Sequence, residues 1–343
     1  MSAVRRLSIL MCTVALVACA PRVAPPGPGP ATPRLTETAF ITADGMELNV
    51  RRWLPEGTAL TAVVLAVHGF NDYSRAFDKV PDAPGVGPFL AARGIAVYAY
   101  DQRGFGASPY AGLWPGRDVM VRDFKDFAVV LKGLYPNTPF YGLGESMGGA
   151  VVMAALADPN PPPIAGAVLA APAVWGKSTM PVIYRAALWL GTRIVPGWRP
   201  TGQSLGRLAS DNLEALRENG RDPLFIKRTR IDSVYGLSGL MDEALAASPK
   251  ISQKPVLYLY GYNDQIIPKK PTRQALADLT KVNAAVRPAF YQNGFHMLLR
   301  DKEAPLVLGD IAAFLQNPAA PLPSGADVDA LPRLQAAKEC PPC

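Results

Sequence analysis

A serine occurs in a sequence pattern that is typical of a catalytic nucleophile. Gly144, Ser146 and Gly148 form a Gly-x-Ser-x-Gly pattern directly after an apolar, strand-like run and before a helix-like run. This pattern is typical of a sharp strand-to-helix turn that exposes the serine hydroxyl, and side chains at the flanking glycine positions would crowd that turn. We therefore predict that Ser146 is the nucleophile of an enzyme.

A serine nucleophile needs a base, and the chain contains only two histidines, His68 and His296. The required chain order is serine, acid, histidine, which selects His296 because His68 precedes the serine. The acid is expected on the loop after the apolar run at 255–261, where Asp264 lies. The sequence therefore predicts a triad of Ser146, Asp264 and His296, and a structural role for His68.

The negative oxygen of a tetrahedral intermediate needs two backbone donors. One is expected to be the amide of Met147, directly after the nucleophile, and the other should come from the loop after the first parallel strand of the core. That loop contains His68-Gly69-Phe70, and we therefore assign the amide of Phe70 as the second donor. This chemistry needs no cofactor and no metal, and we predict neither.

The elements that position these residues follow from the hydrophobic pattern. Apolar runs of four to eight residues alternate with helical stretches from residue 62 onward, which indicates a mostly parallel sheet covered on both faces. We predict a doubly wound α/β sandwich whose core comprises residues 35–173 and 254–316. An antiparallel strand pair should precede it, and helices are predicted at 118–134, 147–156, 272–279 and 305–315.

The alternation stops between the two parts of this core, so residues 174–253 are predicted to form an inserted helical cap. Its segment 181–198 is strongly apolar but carries arginines, as an amphipathic helix would. We predict that this helix covers Ser146 and lines an acyl-binding site; the alternative is a helix that only packs on the core. The candidate substrate-binding residues are Ile183, Leu188, Trp189 and Ile194.

Both ends of the chain differ from the core. Residues 1–18 read as a signal peptide, and Leu16-Val17-Ala18-Cys19 resembles the cleavage motif of bacterial lipoproteins, in which the cysteine is lipidated. Ala20 resembles the residue found in lipoproteins sent to the outer membrane, which predicts an enzyme anchored in the cell envelope through Cys19; the alternative is a secreted or periplasmic soluble protein. Residues 19–34 are predicted to be a proline-rich tether, and residues 317–343 a proline-rich tail in which Cys340 and Cys343 can pair.

Composition limits the classes of partner. The chain has 343 residues, 49% of them hydrophobic and 18% charged, which excludes a disordered protein. The formal net charge of +7 favours an anionic membrane surface. The lysines and arginines are scattered and not clustered, so a nucleic-acid partner is not expected.

Taken with their order, these motifs resemble those of α/β-hydrolases of the monoacylglycerol lipase and lysophospholipase type, a group also called serine aminopeptidase-like. The resemblance covers residues 36–316 and rests on the following segments: His68-Gly69-Phe70, Asp101-x-Arg103-Gly104-x-Gly106-x-Ser108, Gly144-x-Ser146-Met147-Gly148-Gly149, Asp264 and His296. This chain departs from the group at Phe70, where a small residue is more common, and at Glu145, where histidine is common.

The resemblance implies a serine carboxylic-ester hydrolase that acts on monoacyl lipids through an acyl-enzyme on Ser146. A lysophospholipase or an acyltransferase would use the same triad, so both remain open. A peptidase would need acidic groups that hold a substrate amine, and a lipoprotein that only binds a ligand would not need an intact triad. Dehalogenases and epoxide hydrolases are excluded because they use a carboxylate as nucleophile.

Overall fold

A computed structural model describes residues 20–201 and 206–339. The predicted signal peptide, Cys19, Cys340 and Cys343 therefore lie outside the described residues. The described chain forms a nine-stranded sheet, and the strands are β1 (Arg34–Leu35), β2 (Ala39–Ile41), β3 (Glu47–Trp53), β4 (Ala62–Val67), β5 (Ile95–Tyr100), β6 (Phe140–Glu145), β7 (Gly166–Ala170), β8 (Val256–Gly261) and β9 (Val286–Tyr291).

The sheet has the order β1-β2-β3-β5-β4-β6-β7-β8-β9. The first three strands pair antiparallel, and all pairs from β5 to β9 are parallel. Every residue of β4, β5, β6, β7 and β8 is buried, which explains why these strands appear in the sequence as continuous apolar runs.

Helices cover both faces of the sheet, and each face has its own large apolar core. The predicted α/β-hydrolase sandwich is thereby confirmed, and the predicted helix at 147–156 has the same bounds in the structure. The helices of the described residues are α1 (Val86–Ala91), α2 (Arg117–Leu134), α3 (Met147–Leu156), α4 (Val182–Ile194), α5 (Leu213–Arg221), α6 (Ile231–Ala247), α7 (Lys269–Val282), α8 (Ala304–Gln316) and α9 (Ala330–Ala336).

The insertion between β7 and β8 contains α4, α5 and α6. Its last helix packs on α3, and Leu240 and Ala244 of α6 join the same buried core as Val151 of α3. In contrast, α4 buries only Thr192 completely. The insertion is therefore a core helix at its C-terminal end and a more exposed layer at its N-terminal end.

The segments at both ends of the described chain are packed on the body of the protein. The amide of Ala24 donates to the carbonyl of Trp114 at 2.9 Å, and the amide of Gly27 donates to the Asp44 carboxylate at 2.7 Å. At the other end, the Glu339 carboxylate accepts hydrogen bonds from two backbone amides in the first turn of α7, each at 2.9 Å. The described parts of the predicted tether and tail thus lie along the surface of the protein, which suits extended, proline-rich segments.

Within the described residues, no helix combines the length and the apolar character that crossing a bilayer requires.

Candidate active site

Ser146 occupies a strained turn between β6 and α3. Its backbone has φ 52° and ψ −112°, a conformation that is rare for a residue with a side chain. A Cβ atom at Gly144 would lie 2.4 Å from the carbonyl oxygen of Gly148, and one at Gly148 would lie 1.9 Å from that of Val67. Both flanking positions therefore require glycine, as the Gly-x-Ser-x-Gly pattern predicts.

The structure brings Ser146, His296 and Asp264 together in one hydrogen-bonded chain. The Oγ of Ser146 lies 2.9 Å from Nε2 of His296, and Nδ1 of His296 lies 2.9 Å from Oδ2 of Asp264. A carboxylate only accepts, so Nδ1 carries the proton and Nε2 is free to accept the proton of the serine hydroxyl. This arrangement can activate the serine as a nucleophile.

Backbone amides and neighbouring side chains hold the acid and the base in place. The second oxygen of Asp264 accepts from the amides of Ile266 at 2.8 Å and Ile267 at 2.9 Å. The amide that precedes the histidine, on Phe295, donates to Asp301 at 2.7 Å. The groups that surround the triad thus fix the orientation of both side chains.

Buried charges set the protonation of the site. Burial is the largest single effect on the pKa of His296 and lowers it. The charge and hydrogen bond of Asp264, together with the charges of Glu145 and Asp301, nevertheless raise that pKa above its ordinary value. Burial also raises the pKa of Asp301 to about 6, against the opposing hydrogen bonds from Ser210 and Phe295. A protonated His296 would therefore be stabilised within the site.

His68 lies in the loop after β4 and is completely buried. Its Nδ1 donates to the carbonyl of Gly69 at 2.8 Å, and its Nε2 accepts from the amide of Gln102 at 3.0 Å. Burial lowers the pKa of His68, which keeps the ring neutral with this arrangement of donor and acceptor. Both ring nitrogens are thus engaged in holding the loop, which agrees with the structural role predicted for this residue.

The two predicted oxyanion donors belong to segments that adjoin the serine, because Met147 follows it in the chain and Phe70 lines the same cavity. Met147 is the first residue of α3, so its amide has no acceptor within the helix. Within the described residues, the amide of Phe70 donates to no backbone carbonyl, and Gly69 beside it approaches the Cβ of Ser146. Both amides remain available for a negatively charged oxygen of a substrate.

A cavity of about 270 Å³ opens beside Ser146 and His296. Apolar side chains dominate its wall, and the insertion contributes part of them. The apolar lining consists of Phe70, Ala209, Phe225, Leu237, Met241, Ile266, Ile267 and Met297. The site can therefore accept an aliphatic chain next to the nucleophile.

The prediction that α4 lines the acyl site differs from the structure. None of its four candidate residues lies in the wall of this cavity. Ile183 is 73% exposed, Trp189 47% and Ile194 56%, and Leu188 is half-buried. Residues of α6 occupy the wall instead, because that helix packs directly on α3, which has Ser146 at its N-terminus.

Sequence reasoning also missed a cluster of charged side chains in the cavity wall, formed by Asp72, Glu145 and Arg300. No local pattern indicates it, because Asp72 and Glu145 lie 228 and 155 positions before Arg300. Among the described residues, no group of three histidine, cysteine or acidic side chains could hold a metal ion.

The sequence of this chain matches those of known proteins. Residues 58–303 match the protein family described as Serine aminopeptidase, S33. The chain is 27% identical over 297 residues to a monoacylglycerol lipase of Mycolicibacterium smegmatis, with 82% of this chain and 96% of that protein covered. It is 26% identical over 275 residues to the human monoglyceride lipase, with 79% of this chain and 86% of that protein covered.

Solved structures share the fold. The monoacylglycerol lipase of Paleococcus ferrophilus superposes with a TM-score of 0.60 at 24% identity, over 80% of this chain and 100% of that chain. A soluble variant of the Saccharomyces cerevisiae monoglyceride lipase, in complex with a substrate analogue, gives a TM-score of 0.63 at 19% identity, over 86% of this chain and 100% of that chain.

Proposed function

The chain belongs to the serine aminopeptidase family of α/β-hydrolases and is a hydrolase of the lipase and esterase kind, and we propose that it cleaves carboxylic esters of monoacyl lipids through an acyl-enzyme on Ser146. The observation that carries this proposal is the hydrogen-bonded chain from Ser146 through His296 to Asp264 at the mouth of an apolar cavity.

In the proposed reaction, Nε2 of His296 takes the hydroxyl proton while Oγ of Ser146 attacks the ester carbonyl carbon. The amides of Phe70 and Met147 stabilise the tetrahedral oxyanion. The intermediate collapses, the bond between carbon and the alcohol oxygen breaks, and His296 returns its proton to the departing alcohol. Water then attacks the acyl-enzyme with His296 again acting as base, and the fatty acid leaves as Ser146 regains its proton.

The cavity wall and the relatives support a lipid ester as substrate. Burial of an aliphatic chain against the apolar lining contributes about 0.8 kcal/mol per methylene, which can be used to position the ester carbonyl at the serine. The similar proteins named above are monoacylglycerol and monoglyceride lipases, which favours a monoacylglycerol as the acyl donor. A lysophospholipid fits the same chemistry, and an alcohol in place of water would make the enzyme an acyltransferase.

We further propose that α4 and the residues after it contact a membrane surface. An exposed apolar patch (Val182, Ile183, Tyr184, Trp189, Leu190, Ile194, Val195 and Trp198) covers this part of the insertion. Exposed arginines accompany the patch at positions 185, 193 and 199. Large apolar side chains flanked by cations suit a bilayer that carries anionic headgroups.

The N-terminal segment supports the same orientation. The amide of Arg22 donates to Asp232 at 3.0 Å, and the neighbouring Ile231 donates its amide to the carbonyl of Trp198, at the end of the apolar patch. A lipid on Cys19, only three positions before Arg22, would therefore enter the bilayer beside the patch. We accordingly propose a lipoprotein of the cell envelope, anchored in the outer membrane.

A fluorophosphonate probe tests the proposed function, because it reacts only with an activated serine. We expect the wild type to be labelled at Ser146 and Ser146→Ala to remain unlabelled. A panel of p-nitrophenyl esters, monoacylglycerols and lysophospholipids then ranks the substrates by kcat/KM, and added alcohol reveals acyl transfer. Labelling without turnover of any ester would contradict the proposal, as would turnover of peptide amides alone.

A further inference from the structure

One buried arginine contacts two carboxylates from other segments of the proposed active site. Arg300 is 4% exposed and follows His296 by four positions. Its Nη1 donates to Oδ2 of Asp72 at 2.7 Å, and its Nη2 donates to Oε2 of Glu145 at 3.0 Å. Arg300 therefore joins the loop after β4, the end of β6 and the loop after β9, which together carry the proposed active site.

Each of the two carboxylates lies close to one proposed oxyanion donor. Asp72 is two positions after Phe70, and Glu145 is two positions before Met147. Asp72 is held firmly against the loop that carries Phe70. Its carboxylate also accepts from the amide of Tyr73 at 2.9 Å, and its own amide donates to the carbonyl of Gly69 at 3.3 Å. The distance between the carboxylates is thus linked to the distance between the two amides.

We propose that Arg300 is a positioning residue that sets the separation of the Phe70 and Met147 amides in the oxyanion hole. The inference rests on the proposed function, since it assigns those amides to the oxyanion. A planar guanidinium has donors in a fixed fork, so two carboxylates bound to it are held at a defined spacing. A lysine has one compact ammonium on a flexible stem and cannot impose that spacing.

Stability alone explains this cluster poorly. Removing three charges from water costs several kcal/mol per ion, and buried ion networks can often be replaced by apolar side chains without loss of stability. The network is also incompletely satisfied, because Oε1 of Glu145 and Nε of Arg300 are buried without a hydrogen-bond partner within the described residues. The buried charges are therefore better explained by the groups that the guanidinium holds in place than by a gain in stability.

The cluster also acts on the base. The Glu145 carboxylate lines the same cavity as His296 and contributes to the raised pKa of that histidine. Glu145→Gln keeps an acceptor for Arg300 but removes the negative charge. The acidic limb of the pH–rate profile should therefore move to lower pH in Glu145→Gln, which a purely structural role would not produce.

The central test compares Arg300→Lys with Arg103→Lys. Arg103 is a matched control because it is 2% exposed and also donates to two carboxylates, those of Asp44 and Asp123, which belong to neither the triad nor the oxyanion loop. Each rate is divided by the concentration of active sites, which is measured by titrating the enzyme to completion with fluorophosphonate. For Arg300→Lys we expect kcat/KM for a medium-chain ester to fall about 10- to 100-fold.

Two ligands separate positioning from binding. A long-chain trifluoromethyl ketone forms a tetrahedral oxyanion on Ser146, so its affinity should fall by the same factor as kcat/KM. A long-chain alcohol resembles the ground state, and its affinity should stay within about twofold. Arg103→Lys should lower the melting temperature but change neither the rate per titrated site nor the affinity of the ketone.

If Arg300→Lys does not fold, the neutral variant Asp72→Asn/Glu145→Gln/Arg300→Met replaces it, since it leaves no unpaired buried charge. Rates and ketone affinity within about twofold of the wild type in the folded variant would overturn the proposal. A wild type that is neither labelled at Ser146 nor active on any ester would instead overturn the proposed function, so the two failures are distinguishable.

Discussion

A Cβ atom at Gly148 would lie 1.9 Å from the carbonyl oxygen of Val67, the last residue of β4. This close approach brings the N-terminus of α3 against the end of β4, directly below the loop that carries Phe70. The two segments that carry the candidate oxyanion donors, Phe70 and Met147, can come this close only because no side chain separates these backbones.

Gly148→Ala should therefore damage both stability and activity. We expect a loss of at least about 2 kcal/mol in the free energy of unfolding, because neither backbone can move away without distorting the sheet. Gly309→Ala is the matched control, since Gly309 lies in α8 with nothing within 4 Å of its added methyl, and alanine there should be neutral or stabilise by up to about 1 kcal/mol. Chemical denaturation of both variants measures the difference.

The two histidines should respond differently to the same substitution. His296→Gln should lower kcat by several powers of ten, as should Ser146→Ala, because triad members act as a unit. His68→Gln should mainly lower the melting temperature, because it disturbs the hydrogen bonds to Gly69 and Gln102. Loss of activity in His68→Gln with retention in His296→Gln would reverse the assignment.

The pH dependence should follow the base. His296 must be neutral to accept a proton, and its pKa is raised above the ordinary 6.5, so kcat/KM should fall as the pH drops through a value above 6.5. Asp264→Asn removes the main cause of that rise. It should shift the acidic limb to lower pH and reduce kcat by about four powers of ten, because the ring loses its preferred tautomer. An unchanged limb in Asp264→Asn would exclude His296 as the titrating group.

Acyl-chain preference should depend on the cavity wall and not on α4. Met241→Ser replaces an apolar side chain of the wall by a small polar one, so kcat/KM for decanoyl esters should fall much more than for acetyl esters. Trp189→Ser serves as the control because Trp189 lies on the exposed patch, and it should leave the rates on soluble esters unchanged. It should, however, weaken the binding of the protein to vesicles with anionic lipids. If Met241→Ser lowers kcat/KM equally for acetyl and decanoyl esters, the cavity does not select the acyl-chain length.

Mass spectrometry of the mature N-terminus decides the proposed anchor. We expect a diacylglycerol on Cys19 in the wild type and no lipid in Cys19→Ser. An unmodified chain that begins at Ala20 or later would contradict the lipoprotein proposal and favour a secreted protein.

The sequence by itself determined the fold and the candidate triad. The strands β4 to β8 are buried on both faces, so they must be apolar throughout, and this makes them visible without tertiary information. The turn at Ser146 demands glycine at two fixed positions, and the presence of only two histidines leaves one choice for the base. These constraints are local or are set by chain order, and the sequence therefore carries them directly.

Only the tertiary structure decided which residues surround the triad. The apolar character of α4 and of α6 is compatible with either helix covering the cavity, and packing on α3 placed Leu237 and Met241 there while α4 stayed exposed. Likewise, nothing in the spacing of Asp72, Glu145 and Arg300 indicates that one guanidinium joins them. Contacts over 228 and 155 positions depend on how two loops and the end of β6 meet at the edge of the sheet, which no local pattern encodes.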